Sequence, residues 1–193
     1  MDTMKLIRVA IASVGVAWGG AAQAAYLEIL PTGNVEVGDV ASVEVWVNGL
    51  ANEFVGSYDL TINFDALLVS FLGADFGTGL DGPADSLQLL TPGAGDVNLY
   101  EVSFSGLSNQ DGVTAFRLFT LNFDTLAVGI ADFSFGFALV GDELGAELAL
   151  SDLVGTSLTI TEAEPPGGSV PEPAGVALFG LGIAALALRR RRA

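Results

Sequence analysis

The stretch SYDLTINF, residues 57–64, decides the fold, because its apolar and polar side chains alternate from end to end. Tyr58, Leu60, Ile62 and Phe64 occupy every second position, which gives an extended strand one apolar face. Three other stretches have the same period of two. In them we predict core faces made by Val43, Val45 and Val47, by Tyr100, Val102 and Phe104, and by Phe133, Phe135, Phe137 and Leu139.

Residues 116–123 are apolar on both faces, which predicts either a central strand covered on both sides or a strand that contains a bulge. Turn sequences such as Gly38-Asp39, Asn48-Gly49 and Asp111-Gly112 separate the apolar runs. Short strands of this kind, about nine in all, predict an all-β fold, either a two-sheet sandwich or a jelly roll.

Three segments, residues 35–50, 54–77 and 116–135, resemble cohesin-type modules. Residues 59–65 match the pattern of that family's second strand and residues 69–72 that of its third, although Ala66 stands where the family usually has proline. The resemblance implies a nine-stranded jelly roll, a fold shared with some carbohydrate-binding modules. It also implies a binding role, because cohesins hold a dockerin, a small helical Ca²⁺-binding module, on one flat sheet face.

The first 24 residues have the layout of a secretory signal peptide. Lys5 and Arg8 supply a positive start, residues 9–22 are apolar and small, and Ala22-Gln23-Ala24 has the small-x-small pattern of a cleavage site. We therefore predict a cut after Ala24 and export of the chain that follows. A membrane anchor is the weaker interpretation, because the apolar run is short and rich in glycine.

The last 24 residues combine a rigid turn, an apolar run and a basic block. Residues 174–188 carry no charged or hydrogen-bonding side chain. They would make a helix of roughly 22 Å, which is short against a hydrocarbon core of about 30 Å. The long side chains of Arg189, Arg190, Arg191 and Arg192 extend the span to the headgroups. Because basic flanks stay in the cytoplasm, we predict a single transmembrane helix with the preceding chain outside.

This tail resembles the PEP-CTERM sorting signal of Gram-negative bacteria. The matching positions are Val170, Pro171, Glu172 and Pro173, followed by the apolar span and then the arginines. The resemblance implies that an exosortase, a membrane-embedded cysteine protease, recognises the motif and removes the tail. It also implies a transient anchor in the inner membrane, followed by transfer to the cell surface or the extracellular matrix.

The middle of the chain is strongly acidic. From Tyr26 to Glu164 there are 21 acids and one base, Arg117, which leaves a net charge of −20. This charge repels nucleic acid and anionic lipid. The whole chain lacks cysteine and histidine, and this middle lacks lysine, so the common nucleophile and base pairs cannot form. We therefore predict that it is not an enzyme, with a carboxylate glycosidase as a distant alternative.

Two binding hypotheses remain open in this middle. Loop acids such as Asp81, Asp111 and Asp142 offer the oxygen ligands that Ca²⁺ prefers, but no EF-hand loop is present. We predict no metal site or cofactor and leave a structural Ca²⁺ ion as an open hypothesis. Trp46 lies on the polar face of its strand, where it is a candidate platform for a sugar. The alternative is that it covers the core edge or packs under a loop.

These observations divide the chain into a signal peptide (1–24), a cohesin-like sandwich (25–160), a flexible linker (161–169) and a PEP-CTERM sorting signal (170–193). We predict an exported surface or matrix protein with a non-catalytic binding domain. Its expected partners are an exosortase and a dockerin-like protein. In the alternative, the domain is a carbohydrate-binding module that acts on exopolysaccharide.

Overall fold

The computed structural model describes residues 24–80 and 85–163, which form a sandwich of two β-sheets. The described residues also include a 3-10 turn, Ser108–Gln110. The strands of these residues are β1 (Ala25–Pro31), β2 (Val35–Glu36), β3 (Val40–Asn48), β4 (Ser57–Phe64), β5 (Val69–Phe76), β6 (Ser86–Pro92), β7 (Asp96–Ser103), β8 (Ala115–Thr125), β9 (Gly129–Gly141), β10 (Leu150–Val154) and β11 (Thr156–Thr161).

The two sheets differ in size and are built mainly from antiparallel neighbours. One has the strand order β10-β1-β3-β8-β5, and the other has the order β2-β11-β9-β4-β7-β6. Only the edge pairs β1 with β10 and β2 with β11 are parallel among the described strands. This architecture confirms the predicted all-β, two-sheet sandwich.

The described residues contain eleven strands instead of the predicted nine or so, because the chain changes sheets inside extended segments. Residues 150–161 run first in the five-stranded sheet as β10 and then in the six-stranded sheet as β11, with a break at Gly155. A Cβ atom at Gly155 would lie 2.7 Å from the carbonyl oxygen of Phe133, so the crossing as it stands accepts only glycine. Residues 25–36 are divided between β1 and β2 in the same manner.

Aromatic and aliphatic side chains from both sheets fill the space between them. The ring centroid of Phe123 lies 5.0 Å from that of Phe64, 5.7 Å from that of Phe71 and 5.2 Å from that of Phe133. β3 and β4 bury the side chains predicted for them, which are Val43, Val45, Val47, Tyr58, Leu60, Ile62 and Phe64.

The doubly apolar segment in β8 is explained by a bulge. Val45 of β3 pairs with Phe119, but the next residue, Trp46, pairs with Arg117, so Leu118 is the extra residue. Leu118 and Phe119 are consequently both buried, although they are adjacent in sequence. The structure thus supports the bulged strand of our two interpretations.

A second bulge overturns part of the prediction for β9. Thr61 of β4 pairs with Phe137 and Ile62 pairs with Phe135, so Gly136 is the extra residue. Beyond this point the side chains change faces, because strand side chains alternate and one inserted residue inverts the order. Phe137 and Leu139 were predicted in the core, but both are exposed, and Val140 is buried in their place.

The prediction for β7 was wrong in phase. The strand alternates as expected, but Val97, Leu99 and Glu101 face the core, whereas Tyr100 is only partly buried and Phe104 is exposed. The cause is Glu101, a carboxylate that is buried because hydrogen-bond donors from three other side chains reach it. Alternation alone places Tyr100, Val102 and Phe104 in the core, and the two faces of the strand were therefore exchanged in the prediction.

Several predicted segments lie outside the described residues. They include residues 1–23 of the signal peptide, residues 164–169 of the linker and the entire tail from residue 170. Within residues 24–80 and 85–163, no helix combines the length and the apolar character needed to cross a membrane. The predicted span 174–188 is not among them.

Candidate functional site

The outward side of the six-stranded sheet carries a broad surface with exposed apolar side chains, which we call the outer sheet face. It extends over four neighbouring strands, β6, β7, β4 and β9. Its residues are Leu87 and Leu89 of β6, Asn98, Tyr100 and Val102 of β7, Ser57, Asp59 and Thr61 of β4, and Phe137 and Leu139 of β9.

Strand register arranges these side chains in rows across the sheet. In the central row Leu89 pairs with Tyr100, Tyr100 with Asp59, and Asp59 with Leu139. Directly paired residues in a sheet point to the same side, and neighbouring strands are about 4.8 Å apart. The row therefore crosses about 14 Å of the sheet surface.

The outer sheet face is apolar on two sides and polar along its middle. Leu87, Leu89, Phe137 and Leu139 are each between 41% and 52% exposed, and exposed apolar side chains that are grouped on one surface often mark a binding site. Between them, the Asn98 amide donates a hydrogen bond of 2.6 Å to Asp59 Oδ1 and one of 3.1 Å to Thr61 Oγ1. The face thus offers hydrophobic contact on two flanks and fixed acceptors in the centre.

This face is not predictable from simple alternation, because alternation assigns the apolar members of each run to the core. The exposed positions follow from the bulge at Gly136 and from the phase of β7. The signal that was available is Gly136 itself, since a glycine inside a strand pattern often marks a bulge. A Cβ atom at Gly136 would lie 2.7 Å from Asn63 Oδ1, which explains why the bulge has no side chain.

Trp46 lies on the outward side of the other sheet, on the polar face as predicted, and is partly buried. Its indole N–H donates a 3.0 Å hydrogen bond to Glu44, and the Arg117 guanidinium forms a 3.1 Å ion pair with the same carboxylate. Trp46 and Arg117 border a depression of about 370 Å³ that is closed on another side by Asn109 and Gly79. Trp46 as a sugar platform remains a prediction.

The loops beside this depression are held in place by a buried glutamine. The side-chain oxygen of Gln110 accepts a 2.8 Å hydrogen bond from the Val55 N–H. The side-chain nitrogen donates to the carbonyl oxygens of Val55 and Gly79, at 2.9 and 2.8 Å. The Asn109 amide adds two bonds of 3.0 Å to the carbonyl oxygens of Thr78 and Gly79. The depression is therefore a fixed feature of the fold.

Glu101 is a buried acid whose role is structural. It is 1% exposed, and its oxygens accept hydrogen bonds from Tyr58 Oη at 2.8 Å, Ser86 Oγ at 2.9 Å and Gln88 Nε2 at 2.7 Å. A carboxylate enclosed in this way cannot reach a substrate. Burial raises the pKa of the Tyr58 hydroxyl far above its usual range, and the Glu101 charge and hydrogen bond raise it further.

The loop acids that the structure describes do not converge. No group of three or more acidic side chains able to hold a metal ion occurs in residues 24–80 and 85–163. Asp142 Oδ1 instead accepts 2.8 Å bonds from the N–H groups of Leu144 and Ala146, which is turn chemistry. Asp81 lies outside the described residues, and a structural Ca²⁺ ion remains an untested hypothesis.

The predicted processing sites lie mostly outside the described residues. Ala22, Val170, Pro171, Glu172, Pro173, Arg189, Arg190, Arg191 and Arg192 are all outside them. Ala24 is the first described residue, and it is exposed. Its carbonyl oxygen accepts a 3.1 Å hydrogen bond from Ser151 Oγ, and β1 starts at the next residue. The predicted cut after Ala24 would leave the first strand intact.

Residues 169–192 match the family model of the PEP-CTERM protein-sorting motif. The match includes the four motif residues, 170–173, and the four arginines, 189–192, and it confirms the resemblance to that sorting signal. Among curated proteins, none has a sequence that matches this chain.

The sandwich is similar to cohesin modules of known structure. The cohesin module of a family 33 glycoside hydrolase from Clostridium perfringens has a TM-score of 0.61 and 16% identity, covering 73% of this chain and 99% of that module. The sixth cohesin of scaffoldin B from Acetivibrio cellulolyticus, solved with a dockerin, has a TM-score of 0.56 and 17% identity. That match covers 72% of this chain and 99% of the cohesin. The seventh ScaB type I cohesin from Pseudobacteroides cellulosolvens has a TM-score of 0.58 and 14% identity, and the match covers 74% of this chain and 96% of that cohesin. The likeness confirms the cohesin-like fold.

The Tyr58–Glu101 contact makes stability sensitive to alkaline pH. Because burial and Glu101 raise the pKa of folded Tyr58, only unfolded chains lose its proton just above pH 10. The stability that the protonated Tyr58 hydroxyl contributes is therefore fully present below pH 10. Above pH 10 the free energy of unfolding falls by about 1.4 kcal/mol per pH unit. Tyr58→Phe should cost about 1 kcal/mol at pH 8 and should lack this alkaline loss.

Urea unfolding of the wild type and Tyr58→Phe at pH 8, 10 and 11 tests this prediction. Between pH 8 and pH 11 the wild type should lose about 1.4 kcal/mol of unfolding free energy relative to Tyr58→Phe. The variant, which is the less stable protein at pH 8, should therefore be the slightly more stable one at pH 11. A difference that stays constant across these pH values would show that Tyr58 is not held protonated by the fold.

Proposed function

We propose that the chain is an exported protein that an exosortase sorts to the cell surface or extracellular matrix, and that its sandwich is a non-catalytic binding domain. The match of residues 169–192 to the PEP-CTERM motif supports the sorting half. The outer sheet face, with its exposed Leu89 and Phe137, supports the binding half.

The sorting route follows from the order of charges and apolar residues in the tail. The apolar run 174–188 would enter the bilayer, and the arginines after it would resist transfer across the membrane. The Pro171-Glu172-Pro173 turn would then stand at the outer surface, where a membrane protease has access to it. Removal of the tail would release the acidic domain.

The sorting proposal predicts that the motif controls release from the membrane. Glu172→Ala should leave most of the protein in the membrane fraction with its tail uncut, and deletion of residues 189–192 should misroute it. Glu162→Ala is the matched control, since it removes an exposed acid of the linker that lies outside the matched residues. Cell fractionation and immunoblotting measure all three variants.

Wild-type behaviour for Glu162→Ala together with retention of Glu172→Ala supports the proposal. If Glu172→Ala and the arginine deletion both reach the medium as efficiently as the wild type, the tail is not a sorting signal.

For the binding half, we propose a dockerin-like protein as the partner and the outer sheet face as its site. The cohesin of scaffoldin B that shares this fold was solved in complex with a dockerin. The face suits a protein partner, because interface cores combine apolar contact with a few fixed polar groups. Its Asp59 and the net charge of −20 favour a partner with basic or hydrogen-bond-donating groups.

The binding half predicts that charge on the outer sheet face abolishes the interaction. Leu89→Asp and Phe137→Asp should each weaken the affinity for a dockerin module at least about tenfold, equal to about 1.4 kcal/mol. Both side chains are half exposed, so the fold should tolerate the changes. Leu153→Asp is the matched control, because Leu153 is similarly exposed but lies on β10 of the other sheet. Titration calorimetry against a set of dockerin modules measures the affinities.

Carbohydrate binding is the second candidate, and the depression bordered by Trp46 favours it. The same variants separate the two functions. Affinity electrophoresis in exopolysaccharide would show retention lost in Trp46→Ala but kept in Leu89→Asp if sugar binding is the function. Loss of dockerin affinity in Trp46→Ala, with Leu89→Asp unaffected, would contradict the proposed role of the outer sheet face.

A further inference from the structure

One end of the sandwich carries three exposed apolar side chains on two adjacent turns, which we call the apolar tip. Leu67 belongs to the turn between β4 and β5, and Leu126 and Val128 belong to the turn between β8 and β9. The three side chains are between 52% and 82% exposed. None of them belongs to the outer sheet face or to the Trp46 depression.

Backbone contacts hold the two turns together and join them to the last strand. The Leu126 N–H donates a 2.8 Å hydrogen bond to the carbonyl oxygen of Leu68. Gly129, directly after Val128, pairs with Ile160 of β11. A Cβ atom at Gly129 would lie 2.9 Å from Leu68 Cδ2, so the turns are closely packed against each other. The apolar tip therefore borders the place where β11 ends at Thr161.

The chain beyond Thr161 leads directly to the sorting motif. Residues 162–173 separate the end of β11 from the apolar run that begins at residue 174. A flexible segment of this length has an end-to-end distance of about 20 Å. A tether this short would keep the sandwich at an effective concentration in the millimolar range near the membrane in which the apolar run is fixed. Even a weak contact between the apolar tip and that surface would be populated.

We propose that the apolar tip rests on the lipid surface while the chain is anchored, with Leu67, Leu126 and Val128 in the headgroup region. This proposal rests on the proposed function, because it requires residues 174–188 to be in the membrane. The tip end would then face the bilayer, and the opposite end of the sandwich would point away. In this orientation the outer sheet face stands upright and open to a partner.

The charges around the tip select the kind of lipid. Asp39, Asp65 and Asp124 lie in or beside the strand ends at the tip, whereas Arg117 lies toward the other end of β8. These acids would repel an anionic lipid surface. Among the described residues near the tip there is no basic side chain that would attract such a surface. The tip is therefore suited to zwitterionic lipid such as phosphatidylcholine or phosphatidylethanolamine, held by apolar contact alone.

A fluorescent label at the tip of the chain that begins at Ala25 and ends at Ala193, without the predicted signal peptide, tests this proposal. The chain has no cysteine, so Val128→Cys and Leu144→Cys each accept one environment-sensitive label. Leu144 is the matched control, because it is 87% exposed and follows the far end of β9, about 40 Å from Val128. The labelled proteins are reconstituted into phosphatidylcholine vesicles that contain lipid with a nitroxide headgroup.

The nitroxide should quench the Val128 label at least about twice as strongly as the Leu144 label. The double substitution Leu67→Asp and Leu126→Asp should remove this difference, and an admixture of anionic phosphatidylglycerol should reduce it. A blue shift at Val128 without quenching would indicate a protein neighbour, such as a second copy, and would contradict the lipid contact.

Flotation of the same vesicles separates failure of this inference from failure of the proposed function. If the chain does not float with the vesicles, the anchor is wrong and the tip contact is wrong with it. If the chain floats but the two labels are quenched equally, the anchor stands and the apolar tip does not touch lipid.

Discussion

The register of the central strands is the constraint on which the rest of the structure depends. In a sheet every second side chain faces the core, so one inserted residue exchanges the two faces of everything beyond it. Gly136 is such a residue in β9, and Leu118 is another in β8. The first sends Phe137 and Leu139 to solvent, whereas the second brings two neighbouring apolar residues into the core.

These two shifts explain how a core and an apolar outer surface coexist in the same sandwich. The core is complete without Phe137 and Leu139, because Val140 and the ring cluster around Phe123 fill the space between the sheets. Apolar side chains left on an exposed face lack the stabilisation that burial would give, which is about 25 cal/mol for each Å² removed from water. A partner that covered the face would recover that stabilisation, and the net charge of −20 on residues 26–164 opposes association between copies of the domain.

The sequence was sufficient for the fold class and for strands whose neighbours obey simple alternation. β3 and β4 were predicted correctly because each of their buried positions is apolar. β7 was not, because Glu101 is stabilised in the core by Tyr58, Ser86 and Gln88, which lie 13 to 43 residues away and could not be paired with it from the sequence. For the candidate site, the polar-face position of Trp46 was predictable. The outer sheet face was not, because its apolar members depend on where the bulge falls.

Hydroxyl-radical footprinting of the folded domain, with mass spectrometry of the oxidised residues, tests the central claim most directly. The claim is that β9 turns its apolar side chains outward after Gly136 and so creates the outer sheet face. Phe137 and Leu139 should oxidise several times faster than Phe133, which lies in the same strand before the bulge and is buried. If Phe137 is protected as strongly as Phe133, the face does not exist as described and the binding role assigned to it is wrong.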